Sequence, residues 1–128
     1  MKKTFFVFLM FFVFCNFLFS QSNTEKGRAL IGFWGGEFGD FFIFESNLEF
    51  SSGIVETGGG RSGRWRISGN DLILNVKNAG YEDVSYIEVV GINIINDNNI
   101  FLTFEDGYTS RLVRYKSIED YFKYIFNK

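Results

Sequence analysis

The side chains that usually carry catalysis are scarce in this chain. It has no histidine, and its one cysteine, Cys15, lies in an apolar N-terminal run. That excludes an imidazole base, a thiolate nucleophile beyond the leader and the usual zinc ligands. Carboxylates are what remain for acid–base work. Three pairs are close in sequence: Glu37 with Asp40, Glu82 with Asp83, and Glu105 with Asp106. Glycoside hydrolysis needs two carboxyl groups facing one another at ~5–10 Å across a cleft. Adjacent strand residues point to opposite faces, and the latter two pairs sit in turn-like sequence, so no catalytic residue is expected. Arg61, Arg64 and Arg66 form a second cluster. Arg64 and Arg66 share one strand face, with Trp65 on the other, and form a candidate anion or carboxylate clamp. A solvated outer face paired with acids such as Glu56 or Asp71 is the stronger reading of those arginines. The run Gly58-Gly59-Gly60-Arg61-Ser62-Gly63 leads into a strand, whereas a phosphate loop leads into a helix N-terminus. It reads as a hairpin loop, and no cofactor or metal is implied.

The N-terminus sets the compartment. Lys2 and Lys3 precede an apolar run from Thr4 to Phe19, followed by Ser20-Gln21. A charged n-region, an apolar h-region and a small residue at the cleavage point make a secretory signal peptide over residues 1–20. Retention as an anchor is the weaker alternative, because the run is short of the ~20 residues a spanning helix needs. Acylation at Cys15 is also weaker, because bulky Phe14 precedes the cysteine. Export to a periplasm or to the outside is therefore expected, with no integral span in the processed chain. Cleavage leaves 128 − 20 = 108 residues, and removing Lys2 and Lys3 changes 13 basic against 15 acidic side chains to 11 against 15, a net charge of −4. That is one domain, and its acidity argues against nucleic acid. Its core and backbone ladder must hold it together without disulfides.

Residues 21–29 are expected to be a flexible lead-in, and residues 30–128 the folded domain. From Leu30 to Lys116 the chain repeats short alternating runs. Leu72, Leu74 and Val76 share one face, as do Ile100, Leu102 and Phe104, which is the period of half-buried strands. Clusters of Asn, Asp, Ser and Gly, such as Ser51-Ser52-Gly53, Ser68-Gly69-Asn70-Asp71 and Asp106-Gly107, read as turns. The runs give strands near 30–36, 38–45, 48–51, 53–58, 63–68, 71–78, 84–95 and 99–105, with 108–116 as a possible ninth. Gly91 in the long seventh run predicts a bulge or bend. The close, even spacing predicts an all-β antiparallel meander of eight to nine strands, closed into an up-and-down barrel or folded as a sandwich. Beyond it, Ile118, Tyr121, Phe122, Ile125 and Phe126 recur at helical spacing. With Ser117 as N-cap they predict an amphipathic helix over 117–127 lying on the barrel.

Gly32-Phe33-Trp34 at the first strand is a G-x-W triplet. Gly63-Arg64-Trp65 leads through Gly69-Asn70-Asp71-Leu72 to the middle strands, and Arg111-Leu112-Val113-Arg114 ends the last strand. In order and spacing this layout resembles the bacterial lipocalin-like domains, small calycin-type barrels, over residues 30–116. The resemblance implies an eight-stranded barrel with Trp34 at its closed end and Arg114 packed across the indole, a structural pair. It also implies a non-catalytic binder of a small apolar or amphipathic ligand. Phe42, Phe44, Phe50, Trp65 and Phe104 are the candidate inward lining, with Arg64 and Arg66 as candidate polar contacts. The chain is shorter than typical lipocalins and lacks their cysteine pair, so an eight-stranded interior filled by its own side chains is an open outcome. A filled barrel is the mark of the alternative, an envelope-associated protein-interaction module with an exposed aromatic patch near Phe41 or Tyr81. A carboxylate enzyme ranks third.

Overall fold

The computed structural model describes residues 24–57 and 60–127. The signal peptide expected over 1–20, with Cys15, lies outside the described residues. Helix α1 covers 24–30. Eight strands follow: β1 Gly32–Gly36, β2 Asp40–Phe44, β3 Glu49–Ile54, β4 Gly60–Ser68, β5 Asp71–Ala79, β6 Glu82–Asn96, β7 Asn99–Thr103 and β8 Thr109–Tyr115. Helix α2, Ile118–Phe126, completes the chain. Every strand pairs antiparallel with its sequence neighbours, and β1 pairs with β8, so the sheet closes into an up-and-down barrel without edges at that seam.

The period of two decides what lies inside. Phe42 and Phe44 of β2, Phe50 and Ser52 of β3, Trp65 and Ile67 of β4, and Leu72, Leu74 and Val76 of β5 are all buried, with exposed or half-buried residues between them. Val90, Ile100, Leu102 and Leu112 continue the ring. Each such apolar side chain contributes roughly 1.5–3 kcal/mol on burial.

Three elements differ from what the sequence predicts. Residues 48–51 and 53–58 are not two strands. They are the single strand β3, and Ser51-Ser52-Gly53 pairs with Phe41, Phe42 and Ile43 on one side and with Gly60, Arg61 and Ser62 on the other. Small residues here serve close packing inside the barrel wall, and 108–116 therefore supplies the eighth strand, β8. Gly91 carries no register shift. It is where β6 changes neighbours, opposite Asp71 of β5 and opposite Thr103 of β7. The irregularities fall instead between Val76 and Asn78 and between Ile94 and Asn96. Finally, residues 24–30 are helical where a flexible lead-in is expected. Leu30 is fully buried in the core, and Lys26 Nζ donates to the Gly69 carbonyl at 2.8 Å, so tertiary contacts order a polar segment.

Helix α2 begins at Ser117, whose side chain accepts from the Asp120 amide at 3.2 Å, a cap of about 1 kcal/mol. It lies across the outer face of β1. Tyr121, fully buried, packs on Phe33 and Tyr115, with ring centroids 5.6 and 5.0 Å apart. Gly35 makes this possible, because the Tyr121 ring occupies the space a Cβ at that position would need. Phe41 stacks on Phe33 at 5.8 Å, so the aromatic outer face of β1 and β2 is covered by the chain's own helix.

Candidate functional site

The two ends of the barrel are built differently, and the difference starts with the G-x-W triplet. A helix ends with carbonyls that have no partner inside it. At the end of α1 those carbonyls are taken by two side chains from the barrel. Trp34 Nε1 donates to the Leu30 carbonyl at 2.8 Å. Arg114 Nη1 donates to the Ile31 carbonyl at 2.6 Å, its Nη2 donates to the Ala29 carbonyl, and its Nε donates to the Asp97 carbonyl at 2.8 Å. The guanidinium carbon lies 4.3 Å from the Trp34 ring centroid, a cation–π contact. Gly32 has φ 135°, and a Cβ there would collide with the Arg114 guanidinium. One glycine, one tryptophan and one arginine thus cap α1 and hold it as a plug, with Leu30 in the core and Gly27 against the Trp65 ring.

The other end is open. A hollow of about 590 Å³ opens to solvent between β2, β3, β4, the β5–β6 turn and the β7–β8 turn. Phe42, Ile54 and Phe104 give it apolar walls, and Asp40, Ser52, Thr57 and Arg61 supply polar groups. Asp40 Oδ2 accepts from the Ser110 hydroxyl at 2.8 Å, while Oδ1 is buried without a hydrogen-bond partner among the described residues. Arg61 forms a close ion pair with Glu88, and its Nη1 lies 3.4 Å from the Tyr86 hydroxyl. Burial works against the Arg61 charge, but the hydrogen bonds to Glu88 and Tyr86 outweigh it and hold its pKa above the ordinary range. Beneath Asp40, the one Tyr121 hydroxyl proton is shared between the carbonyls of Gly36 at 2.7 Å and Asp40 at 3.0 Å. Burial, then the nearby Asp40 and Tyr115, push the Tyr121 phenol well above its usual pKa.

The candidate lining residues divide between these two regions. Phe42 and Phe104 reach the hollow. Phe44, Phe50 and Trp65 are buried below it, with Phe44 edge-on to Trp65 at 5.3 Å, and they fill the closed half of the barrel. Arg64 and Arg66 lie on the exposed outer face and are not brought to the hollow. Arg61, which sequence reasoning grouped with them, is the arginine that reaches it. The signal was available: Arg61 is two alternations from Trp65, so the two share the inner face. Asp40 shares the inner face of β2 with Phe42 and Phe44 by the same rule. Its role was hidden by reading it only as a partner for Glu37, which is exposed in the β1–β2 turn. Among the described residues no group of acidic or cysteine side chains is placed to hold a metal ion, and no helix is long and apolar enough to cross a membrane. No family model matches the chain, and no curated protein or solved structure matches it.

Proposed function

We propose that this is an exported, non-catalytic barrel of lipocalin-like type that binds one small amphipathic molecule at its open mouth. The observation that carries this reading is the asymmetry of the barrel. One half is packed solid and plugged by α1, whereas the other holds an open hollow of about 590 Å³, within the usual range for small-molecule sites of roughly 300–1,000 Å³. Its composition suits an amphipathic guest. An apolar body fits against Phe42, Phe104 and Ile54, and a polar end meets Ser52, Asp40 and Arg61 at the rim. Export and the absence of catalytic function belong to the same proposal, the first from residues 1–20 and the second from the lack of opposed carboxylates in the sequence.

Titration of the processed protein with the fluorescent apolar probe N-phenyl-1-naphthylamine tests this. Saturable binding is expected, with displacement by single-chain amphiphiles. Ser52→Phe should fill the hollow and abolish binding while leaving the far-UV circular dichroism unchanged. Equal probe binding by Ser52→Phe and the wild type, both folded, would overturn the assignment of the hollow as the site.

A further inference from the structure

The barrel is closed at every seam, yet β6 has a long edge without a strand partner among the described residues. β6 is the longest strand, and it serves its two neighbours in turn. Residues Glu82 to Gly91 pair with β5, whereas pairing with β7 begins only at Gly91 and runs to Asn96. From Glu82 to Val90, therefore, the β7-side edge of β6 has no strand partner among the described residues. Nine residues of strand span about 30 Å. An unpaired edge of that length presents a row of N–H and C=O groups to which another strand can add.

Protection of this edge is limited to the acids Glu82, Asp83 and Glu88 and to the register shift between Asp83 and Tyr86. The edge carries no proline and no lysine. Ile87 and Val89 are exposed on its outer face at 64% and 40%, so an added strand has apolar neighbours to pack on. Charge then selects the occupant. Glu82 and Asp83 are exposed at its start, and the β7–β8 turn, which leaves β7 at the same end, exposes Glu105 and Asp106. Arg61 is engaged with Glu88, and Lys77 stands on β5, across β6 from the open edge. A second copy of this chain would bring two such acidic sets together, and like charges oppose pairing.

We infer that the β7-side edge of β6 from Glu82 to Val90 is a docking site for an extended, cationic segment of another protein, which adds as a strand with alternating apolar and Lys or Arg side chains. Main-chain hydrogen bonds hold the segment. Ile87 and Val89 pack against its apolar residues, and the acids of β6 and of the β7–β8 turn face its cations. The edge borders the hollow, with which it shares the β5–β6 turn, the β7–β8 turn and the Arg61–Glu88 pair.

Hydrogen exchange on the intact protein tests this, with three nine-residue probes: alternating valine and lysine, the same peptide N-methylated at alternate backbone nitrogens, and alternating valine and glutamate. The valine–lysine peptide should slow exchange of the amides within 82–90 that point away from β5 at least tenfold. Fluorescence anisotropy should show it binding at least tenfold more tightly than either control. The exposed double substitution Glu82→Lys with Asp83→Lys should reverse the preference between the lysine and glutamate peptides. Equal binding of the N-methylated peptide, protection confined to other strands, or an unchanged preference in the double variant would each overturn the inference. Slow exchange, in the free protein, of those amides within 82–90 that do not point to β5 would overturn it as well. If that protection vanishes on dilution, the edge belongs to a second copy; if it persists, the chain's own residues cover it.

Discussion

Replacing Arg114 by methionine keeps most of the side-chain volume and removes every donor, so it isolates the capping of α1. Three hydrogen bonds are lost, to the carbonyls of Ala29, Ile31 and Asp97, together with the stacking of the guanidinium on Trp34. A hydrogen bond from a charged donor contributes about 1.5–3 kcal/mol when buried. Arg114 is half-buried, which brings each bond closer to about 1 kcal/mol, and the cation–π contact adds about 1 kcal/mol. These contributions share one side chain and are not additive, so a loss of about 3 kcal/mol is expected. Against a total stability of roughly 5–15 kcal/mol for a domain this is a large fraction, and Tm should fall by roughly 10–15 °C. Urea unfolding followed by tryptophan fluorescence is the assay, since Trp34 and Trp65 are both buried. Arg114→Lys keeps the charge but not the planar fork that reaches three carbonyls, and should lose about half as much. If Arg114→Met loses less than about 1 kcal/mol, or Arg114→Lys matches the wild type, the capping argument fails.

Three further outcomes are expected. Gly35→Val forces a side chain into the space of the Tyr121 ring and should release α2, which limited proteolysis will detect as cleavage after residue 116 in a barrel that stays folded. Tyr121 has a raised folded-state pKa, so its contribution to stability is complete below about pH 10. Above that the unfolded chain binds fewer protons than the native one, and stability should fall by about 1.4 kcal/mol per pH unit for this group; Tyr121→Phe should flatten that part of an equilibrium unfolding series against pH. Leu48 holds φ at 70° and is half exposed in the β2–β3 turn, a left-handed conformation costing roughly 1–2 kcal/mol for most residues, so Leu48→Asn should raise the unfolding free energy from urea titration by about 1 kcal/mol.

The barrel itself was legible because its signal is local. Leu72, Leu74 and Val76, or Ile100 and Leu102, announce a buried face within five residues, and the same alternation carried to Arg61 and Asp40 locates the polar rim of the hollow. Turn chemistry misleads where small polar residues have another use: Ser51-Ser52-Gly53 looks like a turn, but Ser52 is buried inside the wall of β3. The plug was invisible for a different reason. Residues 24–30 have little apolar character beyond Ala29 and Leu30, and they are ordered by Arg114, which lies 85 residues further along the chain from Ala29. The exchange of neighbours at Gly91 is a property of the closed sheet, and no local pattern encodes it.

The hollow at the mouth can be tested most directly by native mass spectrometry of the processed protein isolated from its own source. One small amphipathic molecule per chain is expected, released on denaturation and missing from Ser52→Phe prepared in the same way. Wild-type protein that carries no small molecule, together with identical spectra for Ser52→Phe, would contradict ligand binding in the barrel.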